Sequence, residues 1–252
     1  MEIIGNGFIA RSLQPLTDKY PDAVILAAGV SHPENTEPQY RRETALVEST
    51  VDRCLREERT LVFFSTAGIY GGPGCQGVED APAHPPTRYG QHKLGLEELI
   101  RDSGVGHLAL RLGYVLGKEA PEHRLIPSMI RRIHSGHVNL YRGAYRDLID
   151  IDDMVAIVQA LLEAEVRNEV INVASGSCVP IDLIIDHLEE RLGHTAERHY
   201  VDRDSVHRLS SEKLRKFAPV TADLGFGKDY YKRVIDRYLV ATGHLDQAPA
   251  SP

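Results

Sequence analysis

The chain has 252 residues, of which 42% are hydrophobic, 26% charged and 6% aromatic, with a formal net charge of -7 at pH 7. That length and apolar content support one large core or two unequal lobes, and the acidic balance argues against a general nucleic-acid binder, which presents a strongly basic face. No apolar run reaches the roughly 20 residues that cross a bilayer, no basic leader precedes an apolar stretch after Met1, and Cys54, Cys75 and Cys178 form neither a disulfide framework nor a Cys-x-x-Cys motif. The expectation is a cytoplasmic protein with free thiols and no membrane or nucleic-acid partner.

Ile3-Ile4 followed by Gly5-Asn6-Gly7-Phe8-Ile9-Ala10 reads as a strand, a glycine turn and a helix start, and fits Gly-x-Gly-x-x-Gly/Ala. In that pattern the glycines let the backbone approach a pyrophosphate and the helix N-terminus offers unpaired N–H groups. A plain glycine turn would carry the same letters; the place directly after a strand strengthens the sharper reading. Arg11, just inside the helix, is a contact for a 2′-phosphate or a surface arginine. Apolar runs at residues 23 to 28, 61 to 64, 108 to 112 and 170 to 173 alternate with helical segments. They predict a parallel sheet covered on both faces, a doubly wound α/β core. Residues 71 to 88 hold too many glycines and prolines for a regular element, which predicts a loop above the strand ends, where ligands sit.

Tyr89-Gly90-Gln91-His92-Lys93 falls inside a predicted helix. Residues four apart share a helix face, so the phenol and the ammonium point into the same space. A lone tyrosine titrates near roughly pH 10, and a fixed cation close by favours its phenolate. The Thr66 hydroxyl, at the end of an apolar run, would help hold a carbonyl oxygen while it gains or loses charge. Taken alone, the spacing equally describes a solvated lysine beside a half-buried tyrosine.

Arg124, Arg131, Arg132, His134, His137 and Arg142 crowd the stretch before Arg146, as a solvated helix face or as a pocket for a diphosphate. Asp152-Asp153 open a helix at the positive end of its dipole. Ile181, Ile184, Ile185, Leu188 and Leu192 form an apolar stripe that stops at Gly193, and Tyr231, Val234, Ile235, Tyr238 and Leu239 a last amphipathic helix. The twelve histidines show no His-x-x-x-His or His/Cys cluster, so no metal is expected.

The glycine turn, Ser65-Thr66-Ala67-Gly68-Ile69-Tyr70-Gly71, Tyr89-x-x-x-Lys93, Arg111 to Gly117, Arg146-Asp147-Leu148-Ile149-Asp150-Ile151-Asp152-Asp153 and Ile171-Asn172-Val173-Ala174-Ser175-Gly176 occur in that order. Together they resemble the extended short-chain dehydrogenase/reductase family, in its NAD-dependent epimerase/dehydratase branch acting on nucleotide sugars, over residues 2 to about 240. The resemblance implies a Rossmann domain mainly in 1–172 and a small substrate lobe mainly in 173–252, with part of 114–145 contributing. It implies Tyr89 as general acid/base, Lys93 as the group that tunes it and bonds the nicotinamide ribose, and Thr66 as the catalytic hydroxyl. Gly5, Gly7, Phe8, Ile9, Ala10 and Arg11 would line the cofactor with Ala27, Ala28, Gly29 and Ser65. Thr66, Ala67, Tyr114, Arg146 and, more weakly, Arg203 would meet a nucleotide diphosphate sugar.

The departures from the family shape the functional expectation. From Lys19 the chain passes almost directly to the strand at Ala23, so the second and third strands of the nucleotide half are missing, and with them the residue that reads the adenosine ribose. NAD(H) and NADP(H) both remain, with a slight lean to NADP(H) on Arg11. Ala67-Gly68 stand where the family's dehydratases carry Asp-Glu, which disfavours dehydration. Tyr114 replaces an asparagine that contacts the substrate nucleotide, and Glu43 and Thr44 stand where a helix asparagine is expected. The preferred expectation is an NAD(P)H-dependent ketoreductase on a nucleotide-linked 4-keto-6-deoxyhexose; a nucleotide-sugar epimerase using transient oxidation is the nearest rival, and a non-catalytic cofactor-binding scaffold the third. Leu94, Leu96, Leu99 and Ile100 would serve a homodimer contact or simply cover the sheet.

Overall fold

The computed structural model describes residues 1–30, 34–70, 76–202 and 208–245. Strand β1 (Glu2–Ile4) runs through the glycine turn into a short helix, α1 (Phe8–Ser12), followed by β2 (Ala23–Leu26), α2 (Glu37–Glu57), β3 (Thr60–Thr66), α3 (Arg88–Asp102) and β4 (His107–Leu112). The chain then leaves the main sheet for β5 (Tyr114–Leu116), α4 (Leu125–His134), β6 (His137–Tyr141), β7 (Tyr145–Arg146) and β8 (Leu148–Asp150). Helix α5 (Ile151–Glu163) returns it to β9 (Glu169–Val173), after which come β10 (Val179–Pro180), α6 (Ile181–Leu192), β11 (Glu197–Val201), α7 (Glu212–Phe217) and α8 (Tyr230–Ala241).

Five parallel strands form the main sheet in the order β1-β2-β3-β4-β9. Its strands are apolar on both faces because helices cover both. Val24, Leu26, Leu61 and Phe63 pack against Val47 and Val51 of α2 and Leu96 and Ile100 of α3. The alternate residues Ile25, Val62, Phe64, Leu108 and Leu110 pack against Phe8 of α1 and Met154, Ile157 and Leu161 of α5. Leu96 and Ile100 are therefore sheet cover, with Leu99 packed beside them and Leu94 against the turn at Ala67, Ile69 and Tyr70.

The missing strands leave a topological mark. In a complete doubly wound sheet the first strand is central; here β1 is an edge. The connections β1–α1–β2, β2–α2–β3 and β3–α3–β4 all step the same way across the sheet, yet α1 lies on the face opposite α2 and α3. Parallel crossovers are right-handed in about 98% of cases, so with α2 and α3 in that form the β1–α1–β2 connection is left-handed. The strand order no longer reverses, but helices leave the ends of β1 and β2 toward opposite faces, as they do at the switch point of a complete doubly wound sheet.

A second core joins Leu116, Ile126, Ile130, Leu140 and Leu148 to Ile184, Ile185 and Leu188 of α6 and Val234, Ile235 and Leu239 of α8. Short pairs complete it: β5 with β8, β7 with β10, and β6 with β11. Helix α5 begins as its sequence predicts, with Asp152 and Asp153 in its first turn, and Asp150, not assigned from the sequence, caps it by accepting the Asp152 N–H at Oδ1 at 2.9 Å. Among the described residues no helix is long and apolar enough to cross a membrane.

Candidate functional site

The carboxyl ends of β1, β2 and β3 bring the predicted cofactor residues together. Gly5 has φ +133°, and a Cβ there would stand 2.4 Å from the Ala27 carbonyl oxygen, so only glycine allows the β1 and β2 ends to approach. A Cβ on Gly7 would meet nothing within 4 Å. Gly7 is also the N-cap of α1 and no side chain caps it, which leaves open space over first-turn N–H groups that a helix cannot itself satisfy. Phe8 and Ala10 point into the core, so they can serve a ligand through their backbone alone. Arg11 donates to the Asn6 carbonyl and to Glu119 Oε2, both at 2.8 Å.

Thr66 and Ser65 close β3. The Ser65 side chain is buried and its Oγ has no hydrogen-bond partner, whereas Thr66 Oγ1 accepts the Gly68 N–H at 3.0 Å. A methyl placed on Gly68 would lie 3.3 Å from Thr66 Oγ1 and 3.9 Å from Tyr89 Cδ1, so the hydroxyl and the phenol ring both approach Gly68. Ala67 departs from its expected role: its methyl is buried with Ile69, Tyr70, Ala174 and Leu209, leaving only backbone to face a substrate.

One turn along α3 from half-buried Tyr89, Lys93 is 3% exposed. Its Nζ donates to Glu43 Oε1 at 2.7 Å and to the Phe64 carbonyl at 3.3 Å. The other carboxylate oxygen of Glu43 lies 2.9 Å from His92 Nε2. Burial alone would raise the Glu43 carboxyl; the His92 hydrogen bond and the Lys93 charge outweigh it and hold the group below the usual carboxylate range. The strand end at Ala27, Ala28 and Gly29 runs over this pair, since a Cβ on Gly29 would stand 2.1 Å from Glu43 Oε1 and 2.8 Å from Lys93 Nζ. Tyr40 packs its ring 4.6 Å from that of His92, and burial, with Tyr89 and Glu43 adding, pushes its phenol up.

Glu43 and His92 are partners that the motif reading did not assign. The signal was present: Tyr40, Val47, Val51 and Cys54 make the buried stripe of α2, and Glu43 sits on it. A carboxylate on an apolar stripe demands a buried cation.

The substrate-side residues stand on the strands that follow β4. Leu112 is the register partner of Thr66, and two residues on Tyr114 opens β5. The Arg146 guanidinium lies 5.3 Å from the centre of the Tyr114 ring and donates to the Tyr145 carbonyl at 2.7 Å. Burial raises the Tyr114 phenol, with Arg146 offsetting part. Next to it, fully buried Asp147 accepts from the Ser175 N–H and hydroxyl at 2.9 and 2.7 Å and from Gly176 N–H at 2.8 Å. Burial pushes its carboxyl up to about 6 despite those bonds. Asp147 thus pins the 175–177 turn beside Arg146. Arg203 lies outside the described residues. The basic stretch resolves as exposed: Arg131 pairs with Glu122 and Arg142 with Asp202, while Arg146 alone among its arginines is buried.

Other motif residues serve as scaffold. Arg111 is 4% exposed and grips Glu97 through Nη2 at 2.7 Å and Nε at 3.1 Å, and Tyr70 through Nη1 at 2.6 Å. The Tyr70 hydroxyl donates to Asn172 Oδ1 at 2.9 Å, and Asn172 Nδ2 donates to the Gly77 and Ser210 carbonyls at 2.8 and 3.0 Å. These groups hold the loops around the sheet end and face no open space.

Known proteins resemble the chain in sequence and in fold. The NAD dependent epimerase/dehydratase family matches residues 9–174. A UDP-glucose 4-epimerase of Azospirillum brasilense is 38% identical over 98 residues, 36% of this chain and 28% of that protein's length, so the match spans under a third of the relative. Among solved structures, RMD from Pseudomonas aeruginosa complexed with NADPH superposes with TM-score 0.73 at 19% identity, covering 94% of this chain and 98% of that one. The Bordetella bronchiseptica enzyme WbmG in complex with NAD and UDP gives TM-score 0.72 at 22% identity, covering 95% and 78%. At these identities the structural likeness speaks to fold.

Proposed function

Because the chain belongs to the NAD-dependent epimerase/dehydratase family, we propose that it carries out nicotinamide-dependent hydride transfer at a hydroxyl- or keto-bearing carbon of a nucleotide diphosphate sugar, as a ketoreductase on a 4-keto-6-deoxyhexose. The observation that supports the chemistry is the convergence of Thr66 Oγ1 and the Tyr89 ring on Gly68, with Lys93 one turn behind Tyr89. The residues fit the cofactor: the open space at Gly7 suits a pyrophosphate, and the unpartnered Ser65 hydroxyl lies buried at the end of β3, beside Thr66. When bound, the nicotinamide supplies or accepts the hydride. Tyr89 gives a proton to the oxygen on the reacting carbon or takes one from it. Thr66 Oγ1 already accepts from Gly68 N–H, so its own proton is available for donation to that oxygen. Among the described residues two of the three Lys93 N–H donors are used by Glu43 and Phe64, leaving the third for a ribose hydroxyl. Arg146, stacked on Tyr114, supplies positive charge for a diphosphate.

The shortened sheet favours the reductase reading. With β1 at the edge, little protein remains to grip the adenosine end, and a cofactor exchanged at each turnover tolerates a weak grip better than one regenerated in place. The epimerase reading is the second, favoured by the curated relative named a UDP-glucose 4-epimerase. NADP(H) is preferred only if a 2′-phosphate displaces Glu119 from Arg11. Assay of the purified chain with NADPH or NADH and a 4-keto sugar nucleotide, alongside interconversion of UDP-hexoses without net cofactor change, separates the two. Tyr89→Phe is expected to lower kcat by about 10² to 10⁴-fold with an unchanged melting temperature; full activity in that variant would overturn both readings.

A further inference from the structure

We propose that His137, Glu197 and His199 form a binding site for a divalent transition-metal ion of the zinc class, on the outer face of the β6–β11 pair. The two strands run parallel with Glu197 directly opposite His137 and His199 opposite Asn139. Side chains two apart on a strand share a face, so Glu197 and His199 project together, and the opposed position brings His137 to the same side. The alternation is visible in β6, where Val138 and Leu140 turn inward and His137 and Asn139 outward. Beneath β11, Arg198 reaches the other way, to Asp186 and Glu189 of α6 at 2.7 and 2.5 Å, which fixes the strand's orientation.

The ligand atoms converge within 4.8 Å of one another. His137 Nδ1 lies 3.4 Å from Glu197 Oε2, and His199 Nε2 lies 3.6 Å from Glu197 Oε1. Both separations exceed the 2.7–3.2 Å range of an N–H···O hydrogen bond. Ligand atoms around a tetrahedral zinc ion, at bonds of about 2.0–2.1 Å, stand roughly 3.3–3.4 Å apart. Two imidazoles and a carboxylate are a donor set that zinc accepts, with water completing the shell. Periodicity could not reveal the site, because its residues come from distant strands that meet only through parallel pairing. An ion there would staple β11, whose Tyr200 and Val201 are 40% and 46% exposed, to β6.

Calorimetric titration of the metal-free full chain with Zn²⁺ tests this, with Co²⁺ as spectroscopic probe. The expected result is one saturable equivalent, a rise in melting temperature on Zn²⁺ addition, and Co²⁺ absorption bands of four-coordinate intensity. His199→Ala and Glu197→Gln should each weaken binding at least about tenfold. His194→Ala should leave it unchanged: that ring belongs to a neighbouring group, 5.0 Å from the His134 ring. No saturable binding by the native chain, or binding that survives in both ligand variants, overturns the proposal. All three ligands are exposed, so the variants should fold, and Glu197→Gln carries the test if His199→Ala does not.

Discussion

Helix α3 carries two buried ionic groups four residues apart on one face, Lys93 and Glu97, and they have opposite fates. Glu97 meets Arg111 of β4, whose guanidinium also bonds Tyr70 and the Glu79 carbonyl, so four of its five N–H donors are engaged. Lys93 meets Glu43 of α2 and the Phe64 carbonyl and keeps a donor. Burial alone does not distinguish site from scaffold: both groups are 5% exposed or less. The distinction lies in saturation. A guanidinium with four of its five donors engaged by protein groups ties strands together, whereas an ammonium with one of three in reserve can serve a ligand.

The sharpest way to break this comparison is to remove one partner from each pair. Arg111→Met leaves Glu97 buried without its cation and should cost about 3–5 kcal/mol in urea denaturation. A loss under about 1 kcal/mol would show that the network is not structural. Glu43→Gln keeps an acceptor for Lys93 and should cost less, about 2–3 kcal/mol at neutral pH. Its pH dependence sharpens the contrast. The Glu43 carboxyl is held low in the folded chain, so its stabilisation is present above the unfolded carboxyl range, near about pH 4.3, and is lost as pH falls through the depressed folded value. The stability gap between native chain and variant should therefore close in acid, below about pH 4; a gap that stays constant would assign the loss to packing. Gly29→Ala drives a methyl against the same ion pair and should cost about 1–3 kcal/mol, with weaker binding of reduced cofactor measured by fluorescence. Arg11→Ala should be smallest: its pair with Glu119 is exposed and contributes about 0–1 kcal/mol, so any clear effect should fall on NADPH binding relative to NADH.

What could be read from the chain follows from how local each signal is. The Gly5/Gly7 turn, the apolar strands and the acidic first turn of α5 at Asp152 and Asp153 are encoded within a few residues, and each stands where its pattern placed it. The gap after Lys19 correctly signalled missing strands. The change of hand at β1–α1–β2 did not follow from it, because handedness depends on which face α1 packs against. The Lys93–Glu43–His92 cluster joins α2 to α3 across the sheet face, and no spacing rule reaches that far. Ala67 shows the converse: between Thr66 and Gly68 its own side chain turns inward, a direction that the motif's letters do not state. The strands β5, β7, β8 and β10 are two or three residues long, too short for any period to declare itself.

The simplified strand order also bears on how the chain acquires its structure. Each of the first three main-sheet strands lies beside its successor in sequence, so these pairings wait for no remote partner. Low sequence separation between contacts speeds assembly, and this half of the sheet can zip up in order as it emerges during synthesis. Only β9, separated from β4 by the whole outlying lobe, must close the sheet last.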